Sequence, residues 1–207
     1  MTPQLKTLIA CAAIAGLGIS GLWMATNRGS ALTAEGARRL RALQAPGPVP
    51  NSTLTDRHGE TVRLWRDGTS VILVEFIYTT CPTICQSAGA AFAQLHARLH
   101  AEGLAADVGL LSVTFDLLHD GPVALAAYET SHHADGRQWR IVKPESQDLK
   151  PLLEAFGVVV LPDPIGGFQH NAAIHMVSET GQLIGIFDLG DLDGVVDRLA
   201  TIRKGKT

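Results

Sequence analysis

The chain has little cysteine, little charge and few aromatic residues. Three cysteines in 207 residues are too few for a disulfide scaffold. Charged residues are 18% and aromatic residues 5%, against 46% hydrophobic. That charged share is low for a soluble globular chain, and much of the bias sits at the N-terminus. The formal net charge of −3 leaves no basic footprint, which argues against nucleic acid as a partner. No internal repeat is visible, and the length allows one full domain plus an appendage.

The appendage comes first. Leu8 to Ala25 carries no charge over 18 residues, long enough to span a bilayer and longer than a usual signal-peptide core. It reads as an uncleaved anchor. A signal sequence cleaved near Gly29-Ser30-Ala31 is the alternative. Leu8-Ile9-Ala10-Cys11 resembles a lipoprotein box, but too few apolar residues precede Cys11 for a signal core. Arg28, Arg38, Arg39 and Arg41 follow the segment and Lys6 precedes it. Taken alone, that asymmetry would keep the main domain in the cytoplasm. Thr33 to Leu43 has the pattern of a short surface helix. Ala45 to Pro50, with three prolines, reads as a linker.

What remains is organised around Val71–Gln86, VILVEFIYTTCPTICQ. Its apolar run predicts a strand buried on both faces. The run ends at Thr79-Thr80 and delivers Cys81 and Cys85 to the start of a predicted helix, Pro82 to His100. Around it the pattern predicts a hairpin over Ser52–Leu54 and Thr61–Trp65, turning at Asp56 to Gly59. A second turn follows at Arg66-Asp67-Gly68. A strand at Val108–Phe115 leads through the loop Asp116–Asp120 to a helix at Pro122–Thr130. Next come a short strand at Trp139–Val142 and a helix at Ser146–Phe156 with Ser146 as its N-cap. Val158 to Phe168 reads as a loop with Gly166-Gly167 in it, with or without a short strand at Val158–Leu161. A hairpin over Ala172–Val177 and Leu183–Phe187 and a helix at Leu192–Ile202 complete the chain. Strand–helix–strand followed by an antiparallel hairpin implies an α/β fold: a thioredoxin-like mixed sheet flanked by helices.

That fold carries reactive thiols at the junction where Cys81 and Cys85 fall. The partial positive charge of a helix N-terminus favours a thiolate there. A spacing of i and i+4 sets the two Cα atoms about 6 Å apart on one helix face. The separation is within disulfide range, toward its far side. It also lets both sulfurs converge on one ion, which would then need a third ligand. Two buried, inert cysteines remain the bland alternative.

Eight histidines are available. His58 lies in a turn. His96 and His100 are near the far end of the cysteine helix. His132-His133 sits in the polar stretch SHHADG and reads as a solvated loop. His119 follows the second central strand and remains possible. His170 is the best placed, after Gly166-Gly167 and just before a strand. His175 lies five residues on, and an odd separation along one strand would send it to the opposite face.

Four stretches share a family pattern. FIYTTCPTICQ, residues 76–86, is similar to F-x-Y-T-x-C-P-x-x-C-P. LTDRHGETVRL, 54–64, resembles L-x-D-x-x-G-x-x-V. FDLLHDGPVAL, 115–125, matches V-D-P-x-x-D-x-P-x-x-L, and QHNAAIHMVSETGQL, 169–183, matches D-H-S-x-x-x-Y-L-x-x-x-x-G. The chain thus resembles the Sco/SenC family, membrane-anchored thioredoxin-fold copper proteins of cytochrome c oxidase assembly. The resemblance implies that Cys81, Cys85 and His170 bind copper, as Cu(I) or Cu(II), with Asp116 acting on the site from behind the ligands. Gln86, Leu117 and His175 depart from the pattern, where the family has proline, proline and tyrosine, and none of them removes a ligand. Two thiolates and an imidazole suit soft, three-coordinate Cu(I). Zinc would want a fourth ligand, such as His119.

The expected organisation is therefore an anchor or signal sequence at 1–30, a linker at 31–50 and a copper-binding domain at 51–207. The expected role is a copper metallochaperone rather than an enzyme. It would deliver copper to the dinuclear copper centre of an oxidase subunit, take copper from a donor chaperone, and sit on the outer side of the membrane, facing the periplasm in a bacterium. The alternative is a thiol–disulfide oxidoreductase that uses Cys81 and Cys85 to act on a copper protein's cysteines or to sense oxidants.

Overall fold

The structure, a computed structural model, describes residues 2–26, 29, 33–65, 69–80, 84–164 and 166–205, with the backbone alone at 84–86. Cys81, Pro82, Arg28, Ser30, Ala31 and the expected turn at Arg66-Asp67-Gly68 lie outside the described residues. Helix α1 (Pro3–Ala25) buries no residue. Among the described residues it is the helix long and apolar enough to cross a membrane. Helix α2 (Ala34–Gln44) starts at Thr33, whose hydroxyl accepts the Gly36 N–H at 3.0 Å, as N-capping requires.

Then follow β1 (Gly47–Pro48), β2 (Thr53–Asp56), β3 (Thr61–Arg63), β4 (Val71–Ile77), α3 (Ile84–Ala101), β5 (Val108–Thr114) and α4 (Pro122–His132). Next are β6 (Trp139–Pro144), α5 (Ser146–Phe156), β7 (Val160–Pro162), β8 (Phe168–His170), β9 (Ile174–Ser178), β10 (Gln182–Phe187) and α6 (Leu192–Lys204). The main sheet runs β1-β10-β9-β4-β5-β6-β2-β3. β4, β5 and β6 are parallel, while β9 pairs antiparallel with β4 and β2 antiparallel with β6. This is the expected mixed sheet, and every residue of β4 is buried in it.

Side-chain alternation gives β4 two faces. Phe76 meets Phe156 of α5 edge-on, ring centroids 5.1 Å apart. Glu75 points the other way, to Ser112 of β5. Ser112 is bonded by the Trp139 indole, and Trp139 packs on Phe92 of α3 at 6.0 Å. Helix α3 therefore covers the Glu75 face, beside α4 and α6, while α5 and α2 cover the Phe76 face.

The segment expected as a linker is part of this body. β1 pairs with β10, and Ala42 and Val49 are buried in the core. Proline does not prevent this, because β1 is an edge strand and Pro48 needs no ladder donor there. The expected Ser146 cap is replaced by Glu145, whose side chain makes no capping bond. The polar stretch at His132-His133 is only partly a loop. His132 closes α4, buried with its ring 4.4 Å from that of Tyr128 one turn earlier, and His133 leaves the helix in the left-handed region at φ 58°.

Candidate metal and thiol site

The parallel strands β4 and β5 end side by side, and the ladder runs one step further, with Phe115 N–H donating to Ile77 O at 3.0 Å. Ligand sites in open α/β sheets gather at such carboxyl ends. Here β4 continues into Tyr78, Thr79 and Thr80, one residue short of Cys81.

The turn after β4 is held by an acid that the sequence motif contains but that spacing alone does not single out. Asp120 is fully buried. It accepts the Thr79 N–H at 2.9 Å, the Thr79 hydroxyl at 2.5 Å and the Thr114 hydroxyl. One carboxylate thus joins the ends of β4 and β5 to the loop before α4. The signal for it was the second acid in FDLLHDGP.

Asp116, the acid expected behind the ligands, is also buried, but its carboxylate is turned to its own loop. His119 Nδ1 donates to it, lying 2.8 Å and 2.9 Å from the two oxygens, and the Leu118 and His119 amides approach Oδ1 at 3.3 Å. The His119 side chain is 69% exposed and that of Asp116 5%. A carboxylate bound to one ring nitrogen fixes the tautomer and leaves Nε2 with its lone pair, as in metal-ligating histidines. Asp116 therefore acts on His119 directly.

His170 reaches this end of the sheet on a hairpin, where the sequence pattern offers a loop with at most a short strand at Val158–Leu161. β7 and β8 form a small antiparallel hairpin, with Val160 opposite His170 and Pro162 opposite Phe168. Gly166 and Gly167 turn it with φ of 108° and 80°, values that favour glycine. An aromatic cluster fixes the hairpin to the sheet. Phe168 packs on Tyr78 at 5.3 Å and on Phe115 at 5.6 Å, and Phe115 packs on the His170 ring at 5.0 Å. The Tyr78 hydroxyl donates to Phe168 O and accepts from Phe168 N, at 3.3 Å and 3.4 Å. Each such ring pair contributes about 0.5–1.5 kcal/mol beyond burial. The imidazole is half-buried, and desolvation lowers its pKa, so it stays neutral near pH 7 and keeps a lone pair for a metal.

The other histidines separate from this place. His175 lies on β9, inside the core between Phe76 and Phe156. The two histidines do have different surroundings, but not by alternation along one strand, since β8 ends at His170 and β9 begins at Ile174. His96 and His100 meet edge-on, ring centroids 4.9 Å apart, in the later turns of α3. His58 sits in the β2–β3 turn. Of the cysteine pair, Cys81 lies outside the described residues. Position 85 is in the first turn of α3, on the stripe of Ala88 and Phe92. The His170 imidazole is the donor that the described residues bring to this end, and an imidazole together with the thiols that follow Thr80 in the sequence is a donor chemistry that fits a soft metal ion.

The SCO1/SenC family model matches residues 47–202. The chain belongs to the SCO1/SenC family. The match starts at β1, so the segment that closes the sheet edge falls within the family's span. An SCO1 protein homolog of Bacillus subtilis (strain 168) is 27% identical over 136 residues, 64% of this chain and 69% of that one. Two solved structures share the fold. One is BsSco, described as a member of the Sco family of cytochrome c oxidase assembly proteins in which a disulfide switch was identified. Its TM-score is 0.66 at 22% identity, over 76% of this chain and 94% of that one. The other is Arabidopsis thaliana ScoI with copper bound, with a TM-score of 0.61 at 19% identity, over 75% and 98%.

Proposed function

We propose that this SCO1/SenC protein is a copper metallochaperone of cytochrome c oxidase assembly, with Cys81, Cys85 and His170 as its copper ligands. The observation that carries the reading is the hairpin β7–β8. Its aromatic cluster with Tyr78 and Phe115 sets a neutral imidazole at the end of the sheet from which the chain runs into Cys81. The relative solved with copper bound supports the cargo. Thiolates of Cys81 and Cys85 and the His170 imidazole would hold the ion, and a client's cysteines would take it by ligand exchange at the dinuclear copper centre of an oxidase subunit. A donor chaperone would supply it. His119, oriented by Asp116 and exposed, would serve as a rim ligand during exchange.

Helix α1 would anchor the domain outside the cytoplasm, on the periplasmic side in a bacterium. The arginine asymmetry opposes this side, but two of the arginines have structural duties. Arg38 and Arg39 bind Glu35, and Arg39 also binds Asp188. A reporter fused to the C-terminus tests the side, and cytoplasmic reporter activity would overturn it.

Copper titration tests the ligand set. The chain should take one equivalent tightly, lose it in Cys81→Ala and Cys85→Ala, and hold it more weakly in His170→Ala. Unchanged affinity in His170→Ala would remove His170 from the set. A second reading, thiol–disulfide exchange at the same pair, is favoured by the disulfide switch of BsSco. Metal and disulfide compete for the same thiolates, so the two activities are compatible.

A further inference from the structure

A groove of about 460 Å³ opens on the Phe76 face of the sheet, at the N-terminal ends of β4 and β5. His170 stands at the opposite end of the same sheet. Strand register accounts for the lining. Ile72 pairs with Gly109, and Leu111 pairs with both Val74 and Arg140. Paired residues share a face, so alternation turns Ile72, Leu111 and Arg140 to the side of Val74 and Phe76. Helix α5 meets that side at Phe76, further along β4, and the near end stays open. Val62, Ile72 and Leu111 give the groove an apolar lining. Its size, and an apolar lining with few polar groups, are those of a small-molecule site.

The charge on the groove is of one sign. Arg63, Arg137 and Arg140 border it, and no acid does among the described residues. Arg63 Nη1 donates to Asn51 O at 3.0 Å. The side chains of Arg137 and Arg140 make no hydrogen bond or ion pair among the described residues. Three acids share a separate, smaller cavity with these two arginines, but each is engaged elsewhere. Glu129 pairs with Arg57 at 2.9 Å. Asp135 Oδ1 accepts the backbone N–H groups of Arg137, Gln138 and Trp139, and Asp56 Oδ1 those of His58 and Glu60. A third polar group on the groove is Gln138. Its Nε2 donates to Ala105 O and Val108 O, both at 3.1 Å. That pair of bonds fixes the amide and leaves Oε1 buried, an acceptor without a donor among the described residues.

We propose that this groove binds a small organic carboxylate, an acid on an apolar body that also carries an N–H or O–H donor. The acid group lies against the guanidiniums of Arg137 and Arg140, whose planar forks match a carboxylate. The apolar body covers Val62, Ile72 and Leu111. The donor meets Gln138 Oε1, which a bare anion would leave unsatisfied or repel. Inorganic phosphate supplies the charge but neither the body nor a match to the apolar lining. The site lies at the other end of the sheet from His170, so it does not depend on how copper is held.

The test is calorimetric titration of the full chain, in nanodiscs of zwitterionic lipid, with hippurate. This probe has a carboxylate, an amide N–H and a phenyl ring. Hippurate should bind at one equivalent, and more weakly as salt rises. Its methyl ester, which lacks the charge, and inorganic phosphate, which lacks the body, should each bind at least about 10-fold more weakly. Arg137→Gln and Arg140→Gln should each weaken hippurate by a similar factor. Lys150→Gln, which removes one positive charge from an exposed site on α5, should leave it unchanged. No saturable binding into the millimolar range overturns the proposal. So does equal binding of the ester or of phosphate, or an affinity that both arginine variants retain. If the arginine variants fail to fold, the ester and phosphate comparisons on the wild type decide.

Discussion

Arg38 Nη1 donates a hydrogen bond to Nε2 of His175 across 3.3 Å, and the same nitrogen donates to Phe156 O at 2.6 Å. Helix α2 is thereby bonded to a histidine at the centre of the domain. Nδ1 of His175 faces Val74 O at 3.2 Å. Since a carbonyl only accepts, Nδ1 carries the proton and Nε2 is the acceptor. Glu35 holds Arg38 through Nε and Nη2 at 2.9 Å and 2.7 Å, and Arg39 bridges Glu35 to Asp188.

Replacing Arg38 tests that bond. Arg38→Met removes the donor from His175 Nε2 and Phe156 O while keeping much of the stem. The loss should be about 2–4 kcal/mol, from two acceptors that lose a charged donor. It would be read as a lower urea midpoint with an unchanged slope. Copper affinity should hold, because His175 lies away from the proposed ligands.

The two fully buried ionisable groups of the sheet set opposite limbs of the pH profile. Burial and the Arg38 charge lower the His175 pKa to about 3, from 6.5. The native state then binds fewer protons than the unfolded chain between these values, so stability falls as pH drops through that window. Glu75 is the reverse, at about 8 against 4.5. The native state binds more protons there, so its contribution is full below about pH 4.5 and is lost as pH rises toward 8. His175→Tyr should flatten the acid limb, and Glu75→Gln should flatten the limb above pH 5. Each limb is worth at most about 5 kcal/mol. Denaturant midpoints across the pH range measure both.

Asp120 should matter more than its distance from any ligand suggests. Asp120→Asn puts an amide nitrogen where Thr79 N–H, Thr79 hydroxyl and Thr114 hydroxyl all donate. At least one buried donor then loses its acceptor, for about 2–4 kcal/mol. The turn before Cys81 loosens with it. Urea unfolding should show the loss, and alkylation of Cys81 should change in rate while His170→Ala leaves that rate alone.

The parts legible in the sequence were those with long patterns. β4 and β5 are continuous apolar runs, α3 repeats its apolar positions over several turns, and Glu179-Thr180-Gly181 marks the β9–β10 hairpin. Of the β7–β8 hairpin only a short first strand was legible, not β8 or the pairing. Its strands have three residues each, one includes Pro162, and pairing rather than periodicity defines them. β1, with two residues, is visible only through its pairing with β10. Arg38 reads as a surface charge on α2, because its partners His175 and Phe156 are more than a hundred residues away. The family motif already carried His170 and Asp120, but tertiary contacts alone give the reason for each.

Gly167 links the hairpin to the site and provides the sharpest test of how His170 is positioned. A Cβ added there would lie 2.8 Å from the Tyr78 hydroxyl and 3.4 Å from its ring, at a φ of 80° that side chains adopt at a cost. The left-handed conformation costs an alanine about 1–2 kcal/mol, and the tyrosine must yield or the hairpin must lift. Either movement takes Phe168, and the His170 ring packed on Phe115, away from the strand ends. Gly167→Ala should therefore weaken copper binding roughly 10-fold, by about 1.4 kcal/mol. Thiol reactivity at Cys81 and Cys85 should stay close to wild type, because Asp120 and Thr79 are untouched. His170→Ala alone and combined with Gly167→Ala closes the cycle. If the glycine acts through His170, the double variant should bind copper as weakly as His170→Ala and no more weakly. Additive losses would mean that the hairpin holds the site by some route other than this imidazole.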